Sequence, residues 1–286
     1  MSVSTYETRK STLEKHTKSW MGEKLSDLHQ EFIRQSLDQQ FNTQLIATRK
    51  NVLKFVKQVF NFQISLGNRT LRFNPTVGIR YKKQFHKKPE TISKVDIEKI
   101  IEYTHEIENE WASIFFLAYQ LGARSGELYA LKWADVDWTN KNITISKSYC
   151  WKSKLEKEPK NSKDRTLPLN PSVFNYLTDL KQTTSSEYIL PHLPAWQKGQ
   201  AAKILRSIQD TLKIPKTNFH SIRSTFITQL LLNDVPPIKV MALAGHQDFK
   251  TTMIYVRSVA KELKGTTDIL NFSPMAVKIL DTKKSA

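Results

Sequence analysis

The 286-residue chain has a single cysteine, Cys150, so no disulfide can form within it. The multi-cysteine zinc patterns are excluded with it, and His-Glu-x-x-His does not occur, which leaves a bound metal without support and no cofactor called for. No apolar run reaches the roughly 18 residues that would mark a membrane helix. The opening MSVSTYETRKST lacks the apolar core of a secretory signal, so the sequence reads as a cytoplasmic protein with no membrane segment. Internal repeats and low-complexity tracts are missing too. At 39% hydrophobic and 10% aromatic the chain is nevertheless too apolar for disorder, and it is long enough for two modest cores.

Acidic residues are also in short supply. Against 44 Lys+Arg there are 27 Asp+Glu, a net charge of +17, which makes a polyanion the leading partner. The excess is uneven: residues 1–90 hold 17 basic against 7 acidic side chains, and the remaining residues 27 against 20. Because the basic residues are interleaved with apolar ones, as in TRKNVLKFVKQVF (Thr48–Phe60), they describe a folded, polyanion-binding surface rather than a basic tail.

Apolar spacing from Leu25 to about Gln63 predicts two helical segments, one through Leu28, Phe32, Ile33 and Leu37 and one through Leu53, Val56 and Phe60. Arg72–Lys94, with two prolines, a glycine and a basic cluster, reads as an exposed connection. Ser93 with Asp96 resembles a capping box and opens a new helical run. Trp111, Phe115, Ala118 and Leu121 keep helical spacing, and Gly122 is placed to end that helix. The alternating, β-branched Asn142–Tyr149 and the run Arg165–Leu169 predict one small antiparallel sheet, joined by the lysine-rich stretch Lys147–Lys163. Asn170-Pro171 then reads as the N-cap and first residue of a helix, with further helical patterns at 196–213, 218–232 and 236–244.

Three stretches carry groups suited to chemistry on a phosphate. Arg124 follows a helix end, and Glu127 begins a short amphipathic helix through Leu128, Leu131 and Trp133. His220 and Arg223, three apart, flank a stripe of Phe219, Ile222, Phe226 and Leu230. In LAGHQDFKTTMIYV (Leu243–Val256), His246 stands nine positions before Tyr255, and a helix capped by Asp248 puts Thr251 and Thr252 on the tyrosine's face. Each of these, taken alone, is an ordinary ion pair, structural histidine or helix tyrosine. Their order along the chain is not ordinary.

That order resembles the tyrosine recombinases, also called the phage-integrase family. The match is Gly122-Ala-Arg124-Ser-Gly-Glu127-Leu128 to the G-x-R-x-x-E-L motif, His220-Ser-Ile-Arg223 to H-x-x-R, and Gly245-His246 to the G-H pair. Tyr255 follows nine residues after His246, beyond a Thr-Thr pair, and the family's hairpin lysine, commonly followed by K-x-R-x-x-P-L, is matched in KNSKDRTLPL (Lys160–Leu169) by Lys160 ahead of Lys163-Asp-Arg165-Thr-Leu-Pro168-Leu169. Lys154, Lys157 and Lys163 share that connection with Lys160. Ala244 stands where a leucine commonly precedes the G-H pair.

The resemblance implies a mainly α fold: a helical core-binding domain over 1–85, a linker at 86–92, a mixed α/β catalytic domain over 93–257 and a tail over 258–286. The further N-terminal arm-binding domain of many integrases is not read in this sequence. By the resemblance Tyr255 is the nucleophile, Arg124 and Arg223 grip a phosphodiester, Lys160 is a general acid, and His220 is a base or orienting group. His246 is then a donor to the phosphate, with Glu127, Thr251 and Thr252 in support. A phenol with pKa near 10 is ionised to about one part in a thousand at pH 7, so its activation costs about 4 kcal/mol, which two guanidiniums can offset. The product is a 3′-phosphotyrosyl intermediate that needs neither ATP nor metal.

The implied activity is site-specific DNA recombination, integrating or excising a phage or other mobile element at a core-type site. The implied assembly is a homotetramer on DNA, a monomer when free, with an accessory DNA-bending protein or excision factor. A chromosome-dimer resolvase, a type IB topoisomerase and a non-catalytic DNA-binding regulator are the alternatives. In the tail, Ser273-Pro274 resembles a helix start ahead of Met275, Val277, Ile279 and Leu280, an apolar set suited to docking on a neighbouring subunit.

Overall fold

The computed structural model describes residues 3–25, 27–41, 46–67, 70–81, 88–151, 153–157 and 164–259. Lys160, Lys163 and the expected tail helix at Ser273–Leu280 lie outside the described residues. The chain is mainly helical, as the sequence predicts, and among the described residues the apolar side chains gather into three clusters.

The first cluster belongs to the N-terminal helices α1 (Val3–His16), α2 (Gln30–Gln40) and α3 (Ile46–Ser65). Ile33 and Leu37 of α2 and Val52, Val56 and Phe60 of α3 supply its buried stripe. Two pieces of it go beyond the sequence reading. Helix α1 carries little apolar periodicity, so nothing in its pattern announced it, and Trp20, in the short 3₁₀ turn after it, is buried with its indole N–H bonded to Ser36 Oγ at 2.7 Å.

The expected exposed connection also needs correction. Leu71, Asn74, Thr76 and Ile79 are buried. The Asn74 amide donates to Lys57 O at 3.0 Å and Asn61 Oδ1 at 2.6 Å, while its own oxygen accepts from the Thr76 backbone N–H at 2.9 Å. One side chain thus staples the turn to α3 and brings Ile79 and Tyr81 onto the cluster.

The second cluster spans Ile92 to Ile222. Helix α4 (Lys94–Glu106) begins where Ser93 Oγ accepts from the Asp96 N–H at 3.0 Å. Helix α5 (Ala112–Leu121) is apolar nearly all round and ends at Gly122, whose φ of +56° is the left-handed cap that glycine adopts without strain. Helix α6 (Ser125–Tyr129) is shorter than the amphipathic pattern implied, and Trp133 lies in a separate 3₁₀ turn.

Two sheets form where the sequence predicts one. Strands β1 (Val136–Asp137), β2 (Asn142–Ile145) and β5 (Arg165–Pro168) make a three-stranded antiparallel sheet, with Ile143 opposite Leu167 and Ile145 opposite Arg165. The run Asn142–Tyr149 breaks at Ser146-Lys147. Strand β3 (Ser148–Cys150) pairs instead with β4 (Leu155–Lys157) in a hairpin of its own. That hairpin is held by its aromatic side: Tyr149 and Trp151 pack on Tyr129, and Tyr188 donates its hydroxyl proton to Glu156 Oε1 at 2.7 Å.

Helix α7 (Pro171–Gln182) starts as read, with the Asn170 side chain accepting from Val173 N–H. The 196–213 pattern divides at Gly199 (φ +70°) into α8 (Pro194–Gln197) and α9 (Ala201–Thr211). Helices α10 (His220–Leu232), α11 (Pro237–Ala244) and α12 (Phe249–Val259) complete the described chain. Helix α10 is not the one-sided helix that its stripe predicted: Ser221 through Thr225 are all buried, because α5, α11 and α12 pack around it. This central position puts two otherwise surface-type residues, Arg223 and Ser224, inside the protein.

Candidate active site

The site is built around the C-terminal ends of two helices. Gly122 closes α5 and Gly245 (φ +65°) closes α11, and both ends leave backbone carbonyls without a helical partner. Arg223 answers both: Nη1 donates to Gly122 O at 2.6 Å and Nη2 donates to Ala244 O. A cation between two helix C-termini is favoured by their dipoles, which helps a side chain only 2% exposed to remain charged. Burial first, then the charge of Arg124, pushes its pKa down to about 9, so it stays protonated at pH 7.

Arg124 stands just past the end of α5, where Glu127 fixes it twice. Glu127 Oε2 accepts from the Arg124 backbone N–H at 2.9 Å, and Oε1 accepts from Nη1 at 2.7 Å. The Arg124 side chain, 41% exposed, is the more open of the two arginines to a ligand. Glu127 itself is 1% exposed. Burial alone would raise its pKa, but the hydrogen bond and charge of Arg165, then those of Arg124, hold it down at about 2.

Arg165 is the residue the sequence reading passed over. Its sequence setting marks the start of a strand, yet its side chain is buried and donates to Glu127 Oε2 at 2.6 Å and to Leu243 O at 3.0 Å. Its place in K-x-R-x-x-P-L was the one signal available.

The Gly245 cap turns the chain so that His246 is buried against α12, with Nδ1 2.9 Å from Thr252 Oγ1 and its ring 6.0 Å from that of Tyr255. Burial, then the charges of Arg223, Arg124 and Arg165, lower its pKa to about 4. His220, at the start of α10, is exposed as a residue, but desolvation of its ring and the charges of Arg223 and Arg124 lower its pKa as well.

Tyr255 is only 7% exposed and packs with Ile227, Val240 and Ala244, so the polar face expected for it is in part an apolar seat. Its hydroxyl lies 3.3 Å from Ser224 Oγ. Of the two threonines, Thr252 is buried and bonds His246, whereas Thr251 is exposed. Asp248 accepts from the Lys250 N–H at 2.9 Å in the first turn of α12.

Arg124, Arg223, His220, His246 and Tyr255 are therefore brought together. Lys154 sits at the turn of the docked β3–β4 hairpin (φ +52°) and Lys157 in its second strand, leaving Lys160 and Lys163 as the connection lysines outside the described residues. Among the described residues no three His, Cys, Asp or Glu side chains are grouped to hold a metal ion.

The site predicts a pH dependence of folding. Between pH 6.5, the ordinary histidine value, and about 4, the unfolded chain binds a proton on His246 that the folded chain refuses, so stability falls as pH drops through that window. Glu127, held at about 2 against an ordinary 4.5, adds a further loss as pH falls below 4.5. Thermal midpoints measured from pH 7.5 to 3 should decline throughout. His246→Gln should flatten the decline between 6.5 and 4 only in part, since His220 titrates in the same sense, and should leave the lower stage unchanged.

A model of the phage integrase family matches residues 90–262. The chain is 26% identical over 263 residues to a tyrosine recombinase XerC-like protein of Caldanaerobacter subterraneus subsp. tengcongensis, a match covering 78% of this chain and 66% of the relative, just under two thirds of its length. Its fold is similar to that of the Tn1549 transposon integrase in complex with transposon right end DNA (TM-score 0.74, 15% identity, 94% of this chain and 93% of that one). It is also similar to a lambda integrase in a tetramer bound to a Holliday junction (TM-score 0.68, 15% identity, 89% and 72%).

Proposed function

Since the chain belongs to the phage integrase family, we propose that it is a site-specific DNA recombinase that cuts and rejoins strands through Tyr255. The observation that carries this reading is the shared setting of Arg124, Arg223, His220 and His246 around the tyrosine. The proposed catalytic set is Tyr255, Arg124, Lys160, His220, Arg223 and His246, with Glu127, Thr251 and Thr252 in support.

In this reading the non-bridging oxygens of one phosphodiester lie against the Arg124 guanidinium and the N–H groups of Arg223 not spent on carbonyls. Each charge-assisted bond contributes about 1.5 to 3 kcal/mol and grows as charge develops. In the tautomer this reading requires, His246, neutral at pH 7, accepts a hydrogen bond from the Thr252 hydroxyl at Nδ1 and carries its own proton on Nε2, a donor for the phosphate. Tyr255 Oη forms a bond to phosphorus as the bond to the 5′ oxygen breaks. The phenol's proton passes toward His220, whose lowered pKa leaves it neutral and able to accept. The 5′ oxygen takes a proton from Lys160. Attack by the 5′ hydroxyl of a second strand reverses these steps and joins new partners.

The division at 85, 92 and 257 is part of the same reading. The N-terminal helices grip the duplex from one side: Lys50, Lys54 and Lys57 of α3 and Arg80 line one cleft of about 570 Å³. Lys54→Ala and Lys57→Ala should each weaken binding alike on all sequences and reduce the slope of log affinity against log salt by about one. Titrations at several salt concentrations read this, and an unchanged slope would remove the cleft from the interface.

The preferred substrate is an element end, the assembly on DNA a tetramer, and the place of action the cytoplasm, where a chromosome is reached. An accessory bending protein or excision factor completes the proposal. The test is a denaturing gel of protein incubated with fragments that flank its own gene. A covalent adduct on one fragment supports recombination and gives the site. Adduct on chromosomal terminus sites alone would instead mark a chromosome-dimer resolvase, and binding without adduct a regulator.

A further inference from the structure

Two guanidiniums share the Glu127 carboxylate, and they differ in what else they reach. Arg124 is open to solvent, with its side chain 41% exposed, while that of Arg165 is 6% exposed. Arg165 leaves the first residue of β5, donates from Nη2 to Glu127 Oε2 at 2.6 Å and from Nε to Leu243 O at 3.0 Å. Its guanidinium also lies on the Gly245 backbone: a Cβ at that position would be 2.9 Å from its Nη1 and Cδ. This one side chain therefore joins the sheet, the end of α11 and the carboxylate that holds Arg124.

An exposed arginine has many rotamers, and the pair with Glu127 Oε1 at 2.7 Å selects among them. That selection is only as firm as the carboxylate's own orientation. Without Arg165, Glu127 would keep one fixed partner fewer and a buried charge less well compensated.

Resting on the recombinase reading above, we propose that Arg165 is a positioning residue, which orients Glu127 and through it the Arg124 guanidinium at the scissile phosphate without touching DNA itself. It sits five residues after Lys160, so an effect on the general acid is the rival account, and the two are separable by substrate chemistry. A methylphosphonate at the scissile position removes the anionic oxygen that Arg124 neutralises. A sulfur in place of the 5′ bridging oxygen makes a leaving group that needs no proton.

The experiment compares cleavage of nicked target DNA carrying the ordinary phosphodiester, the methylphosphonate or the bridging sulfur by unaltered protein, Arg165→Met and Arg165→Lys. On the phosphodiester Arg165→Met should be slower by about 10²-fold. Arg165→Lys keeps the charge but cannot span both acceptors, and should fall between. The defect should shrink to less than about tenfold on the methylphosphonate and persist on the sulfur substrate, with DNA binding within a factor of about three. Thermal midpoints establish that each variant is folded, and Arg165→Lys carries the comparison where Arg165→Met does not fold.

Equal losses on all three substrates would reduce Arg165 to a structural role. Recovery on the sulfur substrate alone would assign it to the proton donor, and no loss at all would leave it idle; each overturns the proposal. Failure of the unaltered protein to form an adduct on the phosphodiester would instead sink the recombinase reading, and this inference with it.

Discussion

Tyr255→Phe will form no covalent adduct with DNA and will bind it as tightly as the unaltered chain. The substitution removes one oxygen. Among the described residues that oxygen has one hydrogen-bonding neighbour, Ser224 Oγ at 3.3 Å, a long hydrogen bond whose loss costs about 1 kcal/mol or less. The ring keeps its seat among Ile227, Val240 and Ala244, so α12 stays docked and His246 keeps Thr252. In the proposed reading phosphate affinity rests on the arginines and the lysine-lined cleft, and among the described residues the hydroxyl makes no hydrogen bond to any of them. In the proposed reading the chemistry, by contrast, loses its nucleophile completely, and no other group replaces a 3′-phosphotyrosyl bond. A denaturing gel and a native gel shift on the same fragment separate the two effects. An adduct that persists in the variant would move the nucleophile elsewhere.

What the sequence made legible was mostly local. Ser93 with Asp96, Gly122 and Asn170-Pro171 mark helix ends because a cap satisfies backbone groups within four residues of itself, and all three act as read. His220 and Arg223 could be paired from their spacing alone. What escaped was decided by distant partners. Residues 72–81 have the composition of a loop and are a loop, but their burial depends on Asn74 finding Lys57 O, 17 positions away. Strands β2 and β3 read as one run because alternation says nothing about which partner each half will meet.

The site shows the same limit. Arg165 at the start of a strand looks like a solvent-facing charge, and only the carboxylate of Glu127, 38 positions earlier, makes it a buried one. Arg223 was expected to flank an apolar stripe, but the packing of α5, α11 and α12 around α10 places it wholly inside. The apolar seat of Tyr255 was equally hidden, since Ile227 and Val240 come from other helices.

Gly122→Ala should be the most damaging single methyl that can be added near the site. At φ +56° an alanine pays about 1 to 2 kcal/mol for the left-handed conformation. Its Cβ would also stand 2.1 Å from Phe226 Cδ1 and 2.5 Å from Cε1, an overlap relieved by displacing the half-buried ring and with it α10 from α5, at a further cost of about 1 to 3 kcal/mol. Together these take about 2 to 5 kcal/mol from a total that is commonly about 5 to 15, and lower the thermal midpoint by roughly 5 to 15 °C. Gly199→Ala isolates the first contribution, because its φ is +70° and nothing lies within 4 Å of the added carbon. Equal midpoints for the two variants would mean that Phe226 yields freely. The consequence for chemistry follows from the same residue: Gly122 O anchors Arg223 Nη1 at 2.6 Å, so a shift of α10 against α5 displaces a guanidinium that the proposed reaction requires in place. Cleavage by Gly122→Ala, measured well below its midpoint where the chain is folded, should therefore fall by about tenfold or more, whereas Gly199→Ala should cleave at the unaltered rate.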